Sequence, residues 1–135
     1  MELKKALLIS ASGMEAQSQR MRIIAENLAN SDSLGTTPGA DPFRRKTVSF
    51  KNVLDRTQAT TMVKVSKIGT DNSEFDLRYD PGHPAANADG YVKTPNVKAL
   101  IEMADMREAQ RSYEANLNVI DAAKGMLSKT VDLLR

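Results

Sequence analysis

The sequence predicts a mainly α protein whose long N- and C-terminal helices pair as a coiled coil, with a small antiparallel β-rich segment between them. Two observations carry this. Both ends keep an apolar rhythm that alternates steps of four and three residues, the mark of a helix with one continuous seam. The middle switches to a two-residue period, the mark of a half-buried strand. The chain then divides in order into an N-terminal coiled-coil helix over 1–31, a loop and β-rich segment over 32–95, and a C-terminal coiled-coil helix over 96–135.

The first helix is expected from about Glu2 to Asn30, with a seam of Leu3, Leu7, Ser10, Met14, Gln17, Met21, Ile24 and Leu28; Asn30, Gly35 and Pro38 supply its stop and the loop beyond. The second is expected to open at Thr94 and Pro95, a capping hydroxyl followed by a proline suited to the first turn, and to run to the end. Its seam is Ala99, Met103, Met106, Gln110, Tyr113, Leu117, Ile120, Lys124, Leu127, Val131 and Leu134. At 1.5 Å per residue the first stripe spans roughly 39 Å and the second roughly 54 Å, so the shorter helix leaves part of the longer one uncovered. Leu8, Ile9, Ile23, Leu100, Ile101, Met126 and Leu133 fall off the seams and add apolar surface on other sides. Burying such a side chain is worth ~1.5–3 kcal/mol, which points to neighbouring chains as the cover. The apolar side chains of both seams are therefore candidate assembly residues. Gly13 and Gly125 each cost ~0.8–1 kcal/mol relative to alanine inside a helix, and either close helix approach or plain tolerance accounts for them.

In the middle, Phe75, Leu77 and Tyr79 alternate with Glu74, Asp76, Arg78 and Asp80, predicting a half-buried strand. Lys46 to Phe50 and Met62 to Ile68 are further strand candidates, the latter followed by a turn at Gly69 to Ser73.

Composition excludes several functions. The 19 Lys and Arg against 17 Asp and Glu give a formal charge of +2, too balanced for nucleic acid as the main partner, and three Phe, three Tyr and no Trp are too few for base stacking. With no Cys and a single His, neither thiolate sites nor disulfides arise, and a zinc site would fall to carboxylates. No cofactor is expected. Lys4 and Lys5 precede only a short apolar run before Ser10, Ser12 and Glu15, so no cleaved signal peptide and no membrane insertion are expected.

Chemistry, if present, would centre on Asp80, His83 and Asp89. A calcium loop fails, because aligning Asn87, Asp89 and Gly90 puts Ala85 and Asn96 where carboxylates are required. Asp80-Pro81-Gly82 and Asp89-Gly90 are turn chemistry instead. Neither an evident nucleophile nor a phosphate-binding glycine pattern accompanies them, and no enzymatic activity is expected. Phe43, Arg44, Arg45 and Lys46 form a compact patch that reads either as a solvated face or as a dock for acidic groups of a neighbour.

Several segments together resemble the bacterial flagellar basal-body rod proteins. The likeness rests on Ser12-Gly13-Met14-Glu15-Ala16-Gln17 and on Ile24-Ala25-Glu26-Asn27-Leu28-Ala29-Asn30, whose Asn27, Leu28, Ala29 and Asn30 are the axial-family motif. Further matches are Phe43-Arg44-Arg45-Lys46, Tyr79-Asp80-Pro81-Gly82-His83-Pro84, Ala88-Asp89-Gly90-Tyr91-Val92, Pro95-Asn96-Val97, Glu102-Met103-Ala104-Asp105-Met106 and Arg111-Ser112-Tyr113-Glu114-Ala115-Asn116. The resemblance implies a structural subunit of the proximal rod, exported unfolded through the flagellar type III apparatus without a cleaved signal. It implies assembly with copies of itself, other rod proteins and basal-body components into a tubular drive shaft that crosses the periplasm and transmits torque. The competing expectation is a self-contained helical-hairpin adaptor that presents its β unit to an export or signalling partner.

Overall fold

The computed structural model describes residues 2–135. In chain order the elements are α1 (Glu2–Ala29), β1 (Lys46–Asp55), β2 (Thr60–Thr70), β3 (Asp76–Tyr79), β4 (Tyr91–Thr94) and α2 (Ala99–Leu133). The β strands form two separate two-stranded sheets, β1 with β2 and β3 with β4. The chain forms two compact units, each built from separate stretches of sequence. The first combines Met1–Met21, Val48–Lys67 and Arg107–Arg135, and the second combines Arg22–Thr47 and Ile68–Met106.

In the first unit, the start of α1 lies antiparallel to the end of α2. Gly13 lies against Asn116, and Arg20 pairs with Glu108 at 3.5 Å. Small side chains line this seam: Ser10, Ala16, Ala109 and Ala123 are all buried. A Cβ on Gly13 would fall 2.8 Å from Asn116 Nδ2, which donates at 3.0 Å to the carbonyl of Ser112. Close helix approach therefore accounts for Gly13, whereas Gly125 faces open space and only tolerance accounts for it. β1 and β2 are joined by four residues, too few for anything but an antiparallel hairpin. Asp55 Oδ1 accepts from the amides of Thr57 and Gln58 at 2.9 and 3.3 Å, and Ala59 takes φ 47°, which together close the turn. The hairpin is tied to α1 where the Val63 amide donates to Ser12 Oγ at 3.3 Å.

In the second unit, β3 and β4 pair antiparallel with Asp76 opposite Thr94, Leu77 opposite Lys93, Arg78 opposite Val92 and Tyr79 opposite Tyr91. Val92 on one face is completely buried. The other face corrects the expectation of an inward Leu77 and Tyr79: they are 61% and 66% exposed, and Tyr79 meets Tyr91 edge-on at 5.4 Å between ring centroids. Alternation found the strand but not the side that is covered. Gly90 is required twice over, by φ 84° and by a Cβ position 3.0 Å from the Tyr79 ring.

Boundaries moved at one helix start. α2 opens at Ala99, not at Thr94–Pro95, and Thr94 is the last residue of β4, its hydroxyl donating to the Asp76 carbonyl at 3.1 Å. A residue before proline is pushed out of the helical region, so Thr94 stays extended. Asn96 is then occupied outside the helix, its Oδ1 accepting from the Arg45 amide at 2.7 Å and its Nδ2 donating to the Asp71 carbonyl at 2.9 Å. The first helical bond appears where the Glu102 amide donates to the Lys98 carbonyl.

The two glycines separate in their expected behaviour. Gly125→Ala should raise the stability of isolated α2 by ~1 kcal/mol through helix propensity. Gly13→Ala should gain nothing comparable, since Asn116 must leave its bond to Ser112. Thermal melts followed by circular dichroism read both.

Candidate functional site: a buried polar latch and uncovered apolar stripes

The axial-motif residue Asn27 and the basic patch meet in the second unit. Asn27 is buried on α1 and treats the backbone of Lys46 as a β ladder would: its Oδ1 accepts from the Lys46 amide and its Nδ2 donates to the Lys46 carbonyl, each at 2.9 Å. The same Nδ2 lies 3.4 Å from Oε2 of Glu102, which is 1% exposed on the first turn of α2. The other carboxylate oxygen, Oε1, accepts from Arg45 Nε. Glu102 thus has donors on both oxygens and lies near the positive end of the α2 dipole, the conditions a buried carboxylate needs. One helix, the first residues of β1 and a second helix are joined by three adjacent side chains.

Arg45 is held from several sides. Asp71 is 3.6 Å away and Asp105 3.9 Å away, in addition to Glu102. The hydrogen bond to Glu102 raises the Arg45 pKa above its ordinary value, the charges of Glu102, Asp71 and Asp105 add to that, and burial opposes it. Asp71 is shifted down, first by the Ser73 amide bonded to its Oδ1 at 2.8 Å, then by the Ser73 hydroxyl, with Arg45 and Arg44 contributing through charge. The rest of the patch is likewise engaged within the chain. Arg44 stacks over the Phe75 ring at 4.3 Å and donates to the carbonyls of Asp71 and Ser73, Lys46 pairs with Glu26, and the Phe43 amide donates to the Ser33 carbonyl. A patch read from sequence as a solvated face or a neighbour's dock has its cations satisfied by the chain's own acceptors.

The remaining axial-motif residues finish α1. Asn30 Nδ2 donates to the Glu26 carbonyl at 2.9 Å and its Oδ1 accepts from Ser33 Oγ at 3.0 Å, turning the chain out of the helix; Leu28 is half-buried and Ala29 exposed. His83 serves a turn: its Nδ1 accepts from the Ala85 amide at 3.0 Å, while Asn87 Oδ1 accepts from the amides of Asp89 and Tyr91.

The apolar stripes divide by exposure. On α1, Ile24 is buried and Leu3, Leu7, Met14, Met21 and Leu28 are half-buried. On α2 the covered line runs Glu102 and Met106 in one unit, then Ala109, Tyr113, Asn116, Ile120 and Ala123 in the other. It shares Met106, Tyr113 and Ile120 with the stripe read from sequence. Met103, Leu117, Leu127, Val131 and Leu134 are exposed, Leu134 to 83%. The Gly13–Asn116 register sets Glu2 about level with Leu127, so α1 does not reach the last turns of α2. Glu102 and Asn116 escaped an apolar-pattern reading because they are polar, and Ala109 and Ala123 because they are small. The signal that was available is the pairing of Asn27 with a later acidic residue on a helix face.

Comparison with known proteins places both ends of the chain in one class. Residues 7–35 match the family described as flagella basal body rod protein, and residues 88–133 match the C-terminal family of flagellar basal body rod FlgEFG proteins. The chain is 55% identical to the flagellar basal-body rod protein FlgC of Agrobacterium fabrum, covering 98% of this chain and 96% of that one. It is 43% identical to FlgC of Bacillus subtilis over 95% of each chain, and 43% identical to FlgC of Salmonella typhimurium over 93% of this chain and 92% of that one. The chain belongs to the FlgC family of flagellar basal-body rod proteins. Among the described residues no helix is long and apolar enough to cross a membrane.

The latch has an asymmetric sensitivity. Arg45→Ala leaves the Glu102 carboxylate buried without its cation and should cost ~3–5 kcal/mol. Glu102→Ala should cost less, because Arg45 is partly exposed and keeps Asp71 and Asp105. Urea unfolding at neutral pH measures both. Because the Asp71 pKa is lower in the folded chain, its contribution is present above the unfolded aspartate value of about 3.9 and is lost as the pH falls through the lower folded value. Asp71→Asn should therefore flatten stability against pH below about 4, measured by acid titration of the far-ultraviolet signal.

Proposed function

We propose that this chain is a structural subunit of the flagellar rod, which joins copies of itself and other rod proteins through its terminal helices into a tubular drive shaft that transmits torque. The observation that carries this reading is the uncovered apolar surface at the end of the chain, with Leu127 at the limit of α1 and Val131 and Leu134 beyond it, all left exposed. A self-contained adaptor would have no use for such a face, whereas a subunit packed among helices of its neighbours buries it. Staggered contacts between unlike surfaces propagate into open helical arrays rather than closed rings, which is how a tube grows. Torque then passes through many packed side chains instead of an active site.

In this reading the subunit leaves the cytoplasm through the flagellar type III apparatus, without cleavage of a signal, and takes its place in the rod across the periplasm. Neighbouring subunits there complete the helical ends. The latch around Glu102 fixes the start of β1 against α1 and the first turn of α2, so that every copy builds this unit alike.

The test replaces exposed residues that the monomer does not need. Leu127→Asp with Val131→Asp should leave the helicity of a dilute monomer within ~10% of the parent, because both side chains are already about half open to solvent in the single chain. In cells lacking their own FlgC, the parent chain should restore swimming and the variant should not. Full swimming with the variant, or no rescue by the parent, would overturn the reading.

A further inference from the structure

We propose that Asp89-Gly90 is a site of spontaneous backbone isomerisation, which the folded turn suppresses and the open chain does not, independently of the rod reading above. This is the chain's one Asp-Gly pair, and no Asn-Gly pair is present. A glycine after the aspartate leaves the attacking nitrogen uncrowded, because no Cβ stands beside it. Another residue would lessen the hazard, but the turn does not accept one. Gly90 takes φ 84°, and a Cβ there would lie 3.0 Å from the Tyr79 ring and 3.2 Å from Pro81 Cβ.

The reaction needs these two residues and water. The Gly90 nitrogen attacks Cγ of the Asp89 carboxyl group; an N–C bond forms, the carboxyl C–OH bond breaks, and the hydroxyl leaves as water with the proton of the nitrogen. The product is a five-membered succinimide. Water then opens the ring at either carbonyl. Opening at Cγ restores aspartate, and opening at the main-chain carbonyl leaves isoaspartate, with the backbone running through Cβ. Nothing is oxidised or reduced, and the mass returns to its starting value.

The fold holds the reacting peptide in place. The Asp89 amide donates to Asn87 Oδ1 and the Gly90 amide to the Asn87 carbonyl, each at 3.0 Å, so both amides are bound to one residue. Gly90 is buried, whereas Asp89 is exposed and its carboxyl has neither an ion pair nor a hydrogen bond among the described residues. The carboxyl is therefore available, and the fixed Gly90 nitrogen limits the attack. Neighbouring aspartates differ: Pro81 after Asp80 has no amide proton to give, and Asp55 is occupied by the amides of Thr57 and Gln58. Isoaspartate at position 89 lengthens the backbone by one methylene just before Gly90, whose carbonyl accepts from the Asp80 amide at 2.9 Å beside the Tyr79–Tyr91 pair. An isomerised chain loses that closing bond of the β3–β4 sheet, so time spent unfolded counts against the chain.

The test holds the full chain in buffer and in guanidinium chloride at one pH and temperature, then digests both with trypsin. Cleavage after Arg78 and Lys93 releases the peptide 79–93. Isoaspartate shifts its retention at unchanged mass and is placed at position 89 by electron-transfer fragmentation, while deamidation of Asn87 is told apart by a change in mass. The isomer should accumulate ~10-fold faster in guanidinium chloride, since the folded turn must open before it reacts. Asn87→Ala, shown by circular dichroism to be folded, should raise the rate in buffer ~5-fold through the lost side-chain hydrogen bonds. Equal rates for the folded and unfolded parent would overturn the shielding, and no isomer in guanidinium chloride would overturn the site. A folded Asn87→Ala chain that isomerises no faster than the parent would overturn the role given to this turn. If that variant does not fold, the parent in the two solvents decides the proposal alone.

Discussion

The unit that joins the end of α1 to the start of α2 is organised around one buried carboxylate. Glu102 lies out of reach of water on the first turn of α2, and a charge in that position persists only where donors meet it. Asn27 from α1 and Arg45 from the start of β1 supply them. Asn27 is committed further, since its amide group also completes both backbone bonds of Lys46. A single side chain thus fixes where the first strand starts relative to the helix before it. If Asn27 or Arg45 is displaced, the buried Glu102 carboxylate loses a donor that water cannot replace. The cluster acts as a positional key whose strength lies in the cost of leaving it half-made.

The helix seam follows a complementary logic. Where α1 and α2 meet in the first unit, the buried positions are Ser10, Ala16, Ala109 and Ala123, with Gly13 against Asn116. Small side chains allow close approach and bury little area, so this contact contributes less hydrophobic stabilisation than a seam of leucines would. The large apolar residues are turned outward, at Leu117, Met126, Leu127, Val131 and Leu134. The seam is thus held by close-packed small groups, while several large apolar side chains at the end of α2 stay in contact with solvent.

The architecture was legible in the sequence because helix and strand periods are local properties. The limits of α1, the presence of β1 and β2, the short β3 and the turn from Asp80 to Gly90 all follow from spacing and turn chemistry near each residue. What spacing does not encode is which side of an element is covered. Leu77 and Tyr79 alternate as inward residues do, yet face outward, because Val92 on the neighbouring strand decides the buried face. The covered line of α2 is displaced from the apolar stripe for a related reason: Glu102 is held by Asn27 and Arg45, 75 and 57 residues away, and Asn116 lies against Gly13 of the other helix, neither through hydropathy. Arg44, Arg45 and Lys46 read as a surface patch since their acceptors, Phe75, Glu102 and Glu26, are scattered through three other segments. Thr94 and Pro95 carry the local signature of a helix start, but Asn96 is claimed by Arg45 and Asp71 and the helix opens later.

The interleaving of the two compact units has a consequence for the timing of folding. Each unit draws on both halves of the chain, and its defining contacts join residues far apart in sequence: 75 positions separate Asn27 from Glu102, and Gly13 meets Asn116. Such contacts have high contact order, so a large loop must close before any of them gives a return, and folding is slow compared with a chain of local contacts. Neither unit is complete before part of the second helix has been made: the second unit needs the chain as far as Met106, and the first needs the residues beyond it. The nascent chain therefore reaches its long-range contacts only late in synthesis.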